Sequence, residues 1–95
     1  MAKSETIKWD AADHLTNGQA MAAYLEAALE IGDPALVTAA LGDIARAKGM
    51  TQVARDTGLG RESLYKALSG DNNPSFATML KVMSALGVKL QVVAA

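Results

Sequence analysis

Nine positions between residues 51 and 69 have side chains or backbone groups that could contact a nucleic acid. Arg61 carries a forked guanidinium that can pair with O6 and N7 of guanine, whereas Lys66 is better suited to a phosphate. Ser63 could serve either purpose, and Tyr65 could contact a thymine methyl group or a sugar. Backbone N–H groups at the start of the preceding helix could hold a phosphate. The predicted DNA-facing set is Thr51, Gln52, Gly60, Arg61, Glu62, Ser63, Tyr65, Lys66 and Ser69.

The stretch "TQVARDTGLGRESLYKALS" also has the residues that two short crossing helices need. A helix-turn-helix requires a small residue at the crossing, a residue that tolerates positive φ at the turn, and apolar anchors on both helices. Ala54 fits the crossing and Gly58 fits the turn. The anchors are Val53, Leu59, Leu64 and Leu68. Residues 51–69 therefore predict a helix-turn-helix, with a small helical domain whose charged side chains are merely solvated as the alternative.

The distribution of charge favours a polyanionic partner for the second half of the chain. Residues 1–45 carry two basic and seven acidic side chains, a net charge of −5. Residues 46–95 carry seven basic and three acidic side chains, a net charge of +4. Because the whole chain has a net charge of −1, any attraction to DNA must be local. Chance clustering of solvated charges is the alternative explanation.

Other kinds of chemistry have weak support in the sequence. There are no cysteines, which excludes disulfides, zinc–cysteine sites and thiol nucleophiles. His14 is the sole histidine and is expected to lie at the surface or cap a helix, and Asp10 and Asp13 fit a helix start better than a carboxylate pair. No glycine-rich phosphate loop or nucleophile–base pair is visible. We therefore expect no enzymatic activity, no metal site and no cofactor.

Apolar periodicity predicts an all-α fold of five to six helices with a short C-terminal β-strand. Residues 1–9 are predicted to form an N-terminal arm or short strand, and residues 10–95 a single domain. The alternating "VKLQVV" predicts the strand, which needs a partner in "TIKW" or in the same strand of a second subunit. The predicted helices cover one turn at 10–15, then 17–31, 33–48, 51–57, 61–68 and 75–86.

Several of these helix ends depend on single residues. Asp33 is predicted to cap the helix that begins at Pro34, Thr51 to cap the next, and Ser75 to cap the last. The last helix is expected to bury an apolar stripe, and the helices predicted at 17–31 and 33–48 are each expected to bury one as well. These inward-facing residues include Leu29, Leu36, Phe76, Met79, Leu80, Met83 and Leu86.

The chain carries no sign of membrane insertion or export. No apolar run approaches the roughly 18 residues that a membrane span needs. The start "MAKSETIKWD" lacks the apolar core of a signal peptide. We expect a cytoplasmic protein.

Residues 10–92 resemble the probable addiction-module antidote proteins, helix-turn-helix antitoxins of the Xre (Cro/repressor-like) superfamily. The resemblance is carried by "AAYLEAALEIGDP", "GMTQVARDTGL", "RESLYKAL", "NPSFATMLKV" and "ALGVKL". It implies an antitoxin that neutralises a small toxin and represses its own operon, usually as a dimer. Two positions depart from the family pattern: Gly60 replaces a serine that usually caps the second helix, and the turn "SGDNNP" is slightly altered.

Together these features predict a sequence-specific DNA-binding repressor. Its expected partners are double-stranded operator DNA, a cognate toxin and a second copy of the chain, without a membrane. The alternative is a protein-interaction module that binds its partner through the acidic first half and hardly touches DNA.

Overall fold

Five α-helices follow one another in the computed structural model, which describes residues 15, 17–69 and 73–95. They are α1 (Gly18–Ile31), α2 (Pro34–Lys48), α3 (Met50–Thr57), α4 (Arg61–Ala67) and α5 (Phe76–Leu86). None of these helices is long and apolar enough to cross a lipid bilayer.

Local hydrogen bonds explain where most of the helices begin. The side chain of Asn17 accepts a hydrogen bond from the N–H of Ala20 at 2.8 Å and caps α1. Asp33 accepts from the N–H of Ala35 at 3.1 Å and caps α2, as predicted. Ser75 caps α5 in the same way, which confirms a second cap prediction. Each cap satisfies a backbone donor that has no partner inside its helix.

The core is centred on α2, which packs against α1, α3 and α5. Leu41 and Ile44 of α2 are completely buried, together with Val53 of α3, Leu64 of α4 and Val82 of α5. Removing such side chains from water is the main source of stability in a domain of this size. The short α4 contributes to this core through Leu64 and packs on α3.

The predicted C-terminal strand is not found in the single chain. No strand is found among the described residues, and residues 88–95 continue past α5 without regular secondary structure. A strand requires a hydrogen-bonded neighbour, and the described part of the chain supplies none. The described residues form five helices, the lower number of the predicted range. The arm or strand expected at 1–9, and all but Leu15 of the helical turn at 10–15, lie outside the described residues.

Two further details of the helices differ from the prediction. Helix α3 begins at Met50 with Gly49 before it and no side-chain cap, so Thr51 is not its cap. In α5, Phe76 and Leu80 are 66% and 44% exposed, whereas Val82, which the pattern did not mark, is fully buried. Leu29 and Leu36 are also exposed. An apolar stripe shows that a helix has a face to bury, but the neighbouring helices decide how much of it they cover.

Candidate nucleic-acid interface

A tight turn at Gly58 joins α3 to α4. Gly58 has φ = 77° and ψ = 4°, a left-handed conformation that strains any residue with a Cβ atom. The hydroxyl of the neighbouring Thr57 is buried and donates to the carbonyl oxygen of Val53 at 2.9 Å, with Ala54 O at 3.1 Å. The same hydroxyl oxygen accepts from the N–H of Leu59 at 3.3 Å. The turn is thus held by Gly58, which the sequence indicated, and by Thr57, which it did not.

Buried apolar side chains fix the angle between α3 and α4. Val53 and Leu64 are inaccessible to solvent, and Ala54 and Leu68 are each 6% exposed. These burials confirm the predicted crossing residue and three of the four anchors. The fourth anchor, Leu59, is partly buried and packs against the edge of the core. The two helices therefore form one rigid unit with the rest of the domain.

All nine residues predicted to face DNA are exposed. The six predicted residues on α4 and just after it all carry hydrogen-bonding or charged groups. Burial and contacts leave this surface available, and its role in binding stays a prediction. The nine are Thr51, Gln52, Gly60, Arg61, Glu62, Ser63, Tyr65, Lys66 and Ser69.

Arg61 and Tyr65 form a pair along the outer face of α4. The guanidinium carbon of Arg61 lies 5.7 Å from the centre of the Tyr65 ring, and a guanidinium N–H donates to the Tyr65 hydroxyl at 3.3 Å. Residues four apart on a helix are neighbours on its surface, so this contact is local. The contact favours side-chain conformations in which the arginine fork lies along α4.

Two of the other residues predicted to contact DNA already form hydrogen bonds within the chain. The amide of Gln52 donates to Asp56 at 2.9 Å along the outside of α3, and the Ser69 hydroxyl donates to the carbonyl oxygen of Lys66 at 3.1 Å. Ser63 and Lys66 share a shallow depression with residues at the start of α5, including Thr78. Ser63 and Lys66 are therefore brought together, whereas Gln52 lies on the other helix.

The structure adds Arg46 to the edge of this surface. Arg46 lies in the last turn of α2 and lines the same concavity as Tyr65 and Ser69. Its guanidinium forms an ion pair with Asp43, which also accepts a hydrogen bond from the Tyr24 hydroxyl. No sequence spacing relates Arg46 to α4, because only the packing of α2 beside the end of α4 brings them together. Residues 46–69 contain five basic and two acidic side chains, a local charge of +3.

Gly42 of α2 permits the close approach of the end of α4. A Cβ atom at this position would lie 2.9 Å from the carbonyl oxygen of Leu68. That distance is shorter than any ordinary contact, so α2 and the end of α4 pack together only because residue 42 has no side chain. A glycine inside a helical pattern was the one available signal, and it does not specify the neighbour.

Comparison with known proteins places the chain in a family. A family model described as "Probable addiction module antidote protein" matches residues 5–94. The chain belongs to this family. An uncharacterised protein of Haemophilus influenzae (strain Rd) is 52% identical over 90 residues, which span 94% of this chain and 93% of that protein. No solved structure matches the chain.

Membership of the antidote family implies a cognate toxin as partner, because an addiction module pairs a toxin with its antidote. Among the described residues, no three histidine, cysteine or acidic side chains are grouped so that they could hold a metal ion.

Gly60, the departure from the antidote-family pattern, precedes α4 without a capping side chain. Its backbone is extended, with φ = −72° and ψ = 157°, and α4 has no side-chain cap hydrogen bond. We expect Gly60→Ser to stabilise the protein by a few tenths of a kcal/mol, because a serine hydroxyl can accept from the exposed N–H groups of the first turn. Urea unfolding measures the change. Gly60→Ala, which lacks the hydroxyl, serves as the control and should lower the free energy of unfolding; a serine variant no better than the alanine variant would contradict a missing cap.

Proposed function

We propose that this antidote-family protein is a sequence-specific DNA-binding repressor of the Xre (Cro/repressor-like) helix-turn-helix type. One observation carries the proposal. The buried contacts between α3 and α4 leave the polar residues of α4 on a rigid, exposed surface, within a region of charge +3. A recognition helix needs these properties, since it must enter a major groove without losing its orientation.

In the proposed complex, α3 crosses the phosphate backbone and α4 lies in the major groove. Arg61, in the first turn of α4, reads a guanine through its two parallel N–H donors. Lys66, farther along the helix, contacts a phosphate, and Ser63 contacts either a base or a phosphate. Arg46 adds a second phosphate contact from α2, at the edge of the groove.

The proposed regulator acts in the cytoplasm as a homodimer on the operator of its own operon. A two-fold axis would place the α4 helices of two subunits about 34 Å apart, which matches successive major grooves on one face of DNA. As the antidote of its module, the protein also neutralises the cognate toxin. Repression and neutralisation would then be linked through the amount of free antidote.

We expect strong salt dependence for binding to a fragment of the DNA upstream of the gene. A dimer that neutralises about four phosphates should lose roughly 100-fold in affinity between 50 and 200 mM salt. Fluorescence anisotropy over a salt titration measures the slope, with a random fragment of equal length as the control. The absence of any complex with the upstream fragment at 50 mM salt would contradict the DNA-binding proposal.

The second candidate is a protein-interaction module that neutralises a toxin and binds little DNA. It is favoured by the acidic first half of the chain, where Glu26 and Glu30 are exposed on α1. The two candidates differ in the double variant Arg61→Ala, Lys66→Ala. If the protein is a repressor, the double variant should lose repression of the operon and still protect cells from the toxin. If it is only an interaction module, the wild type and the double variant should give the same operon expression.

A further inference from the structure

The residues that follow α5 form a segment that is anchored at Val88 and otherwise makes no backbone hydrogen bonds to the described residues. We call residues 88–95 the C-terminal segment. The N–H of Val88 donates to the carbonyl oxygen of Met83 at 3.1 Å, and the Val88 side chain packs against the core. Residues 89–95 make no backbone hydrogen bond to the described part of the chain. Val92 and Val93 are 96% and 82% exposed.

Leu90 fixes the direction in which this segment leaves the domain. Its side chain is 42% exposed and lines an apolar groove of about 340 Å³ with Leu29 of α1 and Phe76 of α5. Leu90 and Phe76 thus connect the C-terminal segment to an exposed apolar surface that the described residues leave uncovered. None of the nine predicted DNA-facing residues lines this groove.

The amino-acid types of the segment suit a β-strand. Val88, Leu90 and Val92 alternate with Lys89 and Gln91, so an extended chain places the three apolar residues on one face. An extended apolar segment whose N–H and C=O groups the described residues leave unpaired is a template for another strand.

Building on the homodimer of the proposed function, we infer that the C-terminal segments of two copies pair as an antiparallel β-ribbon across a two-fold axis at Leu90. The occupant of the open edge is therefore the same segment of a second subunit.

The residue pairs formed by two antiparallel copies of the segment support a second copy as the partner strand. About an axis at Leu90, the two Leu90 side chains face each other, Val88 faces Val92, and Lys89 faces Gln91. Every pair over these five positions then joins apolar with apolar or polar with polar. An axis at Lys89 would place two lysines opposite each other, which is unfavourable. An axis at Gln91, or between two residues, would place Lys89 opposite Val93, Val92 or Leu90.

The ribbon alone is too small for a stable dimer interface, so the dimer must bury additional surface. Specific interfaces bury about 800 Å² on each partner, more than a five-residue ribbon supplies. The apolar groove adjoins Leu90 and presents Leu29 and Phe76, which are 43% and 66% exposed. We therefore place the ribbon and this adjoining surface in one isologous interface. Because the predicted DNA-facing residues lie outside the groove, both α4 helices of the dimer stay accessible.

A pair of matched substitutions tests the ribbon. Val92→Lys places a charge on its apolar face, whereas Val93→Lys changes the neighbouring residue on the opposite face. We expect Val92→Lys to raise the dimer dissociation constant at least tenfold in sedimentation velocity, with Val93→Lys within about threefold of the wild type. Since both side chains are largely exposed in the subunit, neither change should alter its thermal unfolding at concentrations where it is monomeric.

Single cysteines test the register, because the natural chain has none. Only a residue on the two-fold axis faces its own copy, so Leu90→Cys should form a disulfide-linked dimer under mild oxidation faster than Gln91→Cys or Lys89→Cys. A faster reaction at residue 89 or 91, or no difference among the three, would overturn the Leu90 register.

The remaining outcomes separate this interface from the proposed homodimer itself. A stable dimer that Val92→Lys leaves intact would overturn the ribbon while preserving the homodimer. A wild-type protein that stays monomeric at all concentrations would overturn both. In that case, lower thermal stability of Val92→Lys would show that the C-terminal segment is covered within its own chain. Unchanged stability would indicate that the segment binds a different protein.

Discussion

Replacing Arg61 with alanine is expected to weaken binding to the upstream DNA roughly 5- to 150-fold, or about 1–3 kcal/mol, with a much smaller effect on random DNA. The guanidinium lies in the first turn of α4 and is held against the Tyr65 ring, 5.7 Å from its centre. This contact limits its orientations before DNA is present, so less conformational entropy is lost on pairing with a base. Anisotropy titrations on the two fragments at one salt concentration give both affinities.

Two control variants distinguish base reading from charge in the Arg61 experiment. Arg61→Lys keeps the positive charge but loses the fork, so it should recover binding to random DNA without recovering preference for the upstream fragment. Lys66→Ala should weaken binding to both fragments by similar factors and lower the salt slope of the dimer by about two, one for each subunit. Equal losses on the two fragments with Arg61→Ala would rule out its base-reading role and leave it a phosphate contact.

Features set by a few neighbouring residues could be predicted from the sequence. Asp33 and Ser75 cap their helices through bonds to residues two or three positions away, and Gly58 adopts the left-handed turn between α3 and α4. The exposure of the nine outward residues follows from the same local pattern, once Val53 and Leu64 are buried. For this reason the shape of the candidate interface could be inferred before any tertiary contact was known.

Features that depend on distant neighbours could not be predicted in the same way. Arg46 joins the candidate interface only because α2 packs beside α4, and the buried hydroxyl of Thr57 becomes a turn contact only once the turn has formed. Phe76 and Leu80 have the spacing of a core stripe, but the described helices cover Val82 instead. A strand at 88–92 depends on a partner that no single-chain pattern can specify.

The acidic and basic halves of the chain are joined by contacts at partly exposed side chains of α1 and α2. Tyr24 of α1 donates a hydrogen bond to Asp43 of α2, and Asp43 also pairs with Arg46 at the edge of the surface that we propose binds DNA. One carboxylate therefore links the α1 side of the molecule to a cation that we place near phosphate. The ion pair with Asp43 reduces the positive charge that Arg46 presents to solvent. Arg46 is therefore expected to add less to DNA binding than the residues of α4.

The second large effect is expected from Gly42→Ala, a substitution that inside most helices stabilises by about 0.5–1 kcal/mol. Here the new Cβ atom would lie 2.9 Å from the carbonyl oxygen of Leu68, an atom of the backbone that cannot rotate away. We expect a loss of about 1–3 kcal/mol in the free energy of unfolding, because α2 and the end of α4 must separate. Thermal unfolding should show a midpoint lower by roughly 5–20 °C.

Gly18→Ala provides the matched control for Gly42→Ala, since it makes the same change at the start of α1 with no atom within 4 Å of the new Cβ. It should leave the stability unchanged or raise it by up to about 1 kcal/mol. Because Leu68 follows α4 directly, Gly42→Ala should also displace the recognition helix and weaken DNA binding at temperatures where the variant is still folded. A Gly42→Ala protein as stable as the Gly18→Ala protein would contradict the close approach of α2 to Leu68, and with it the packing that we infer orients α4 for DNA.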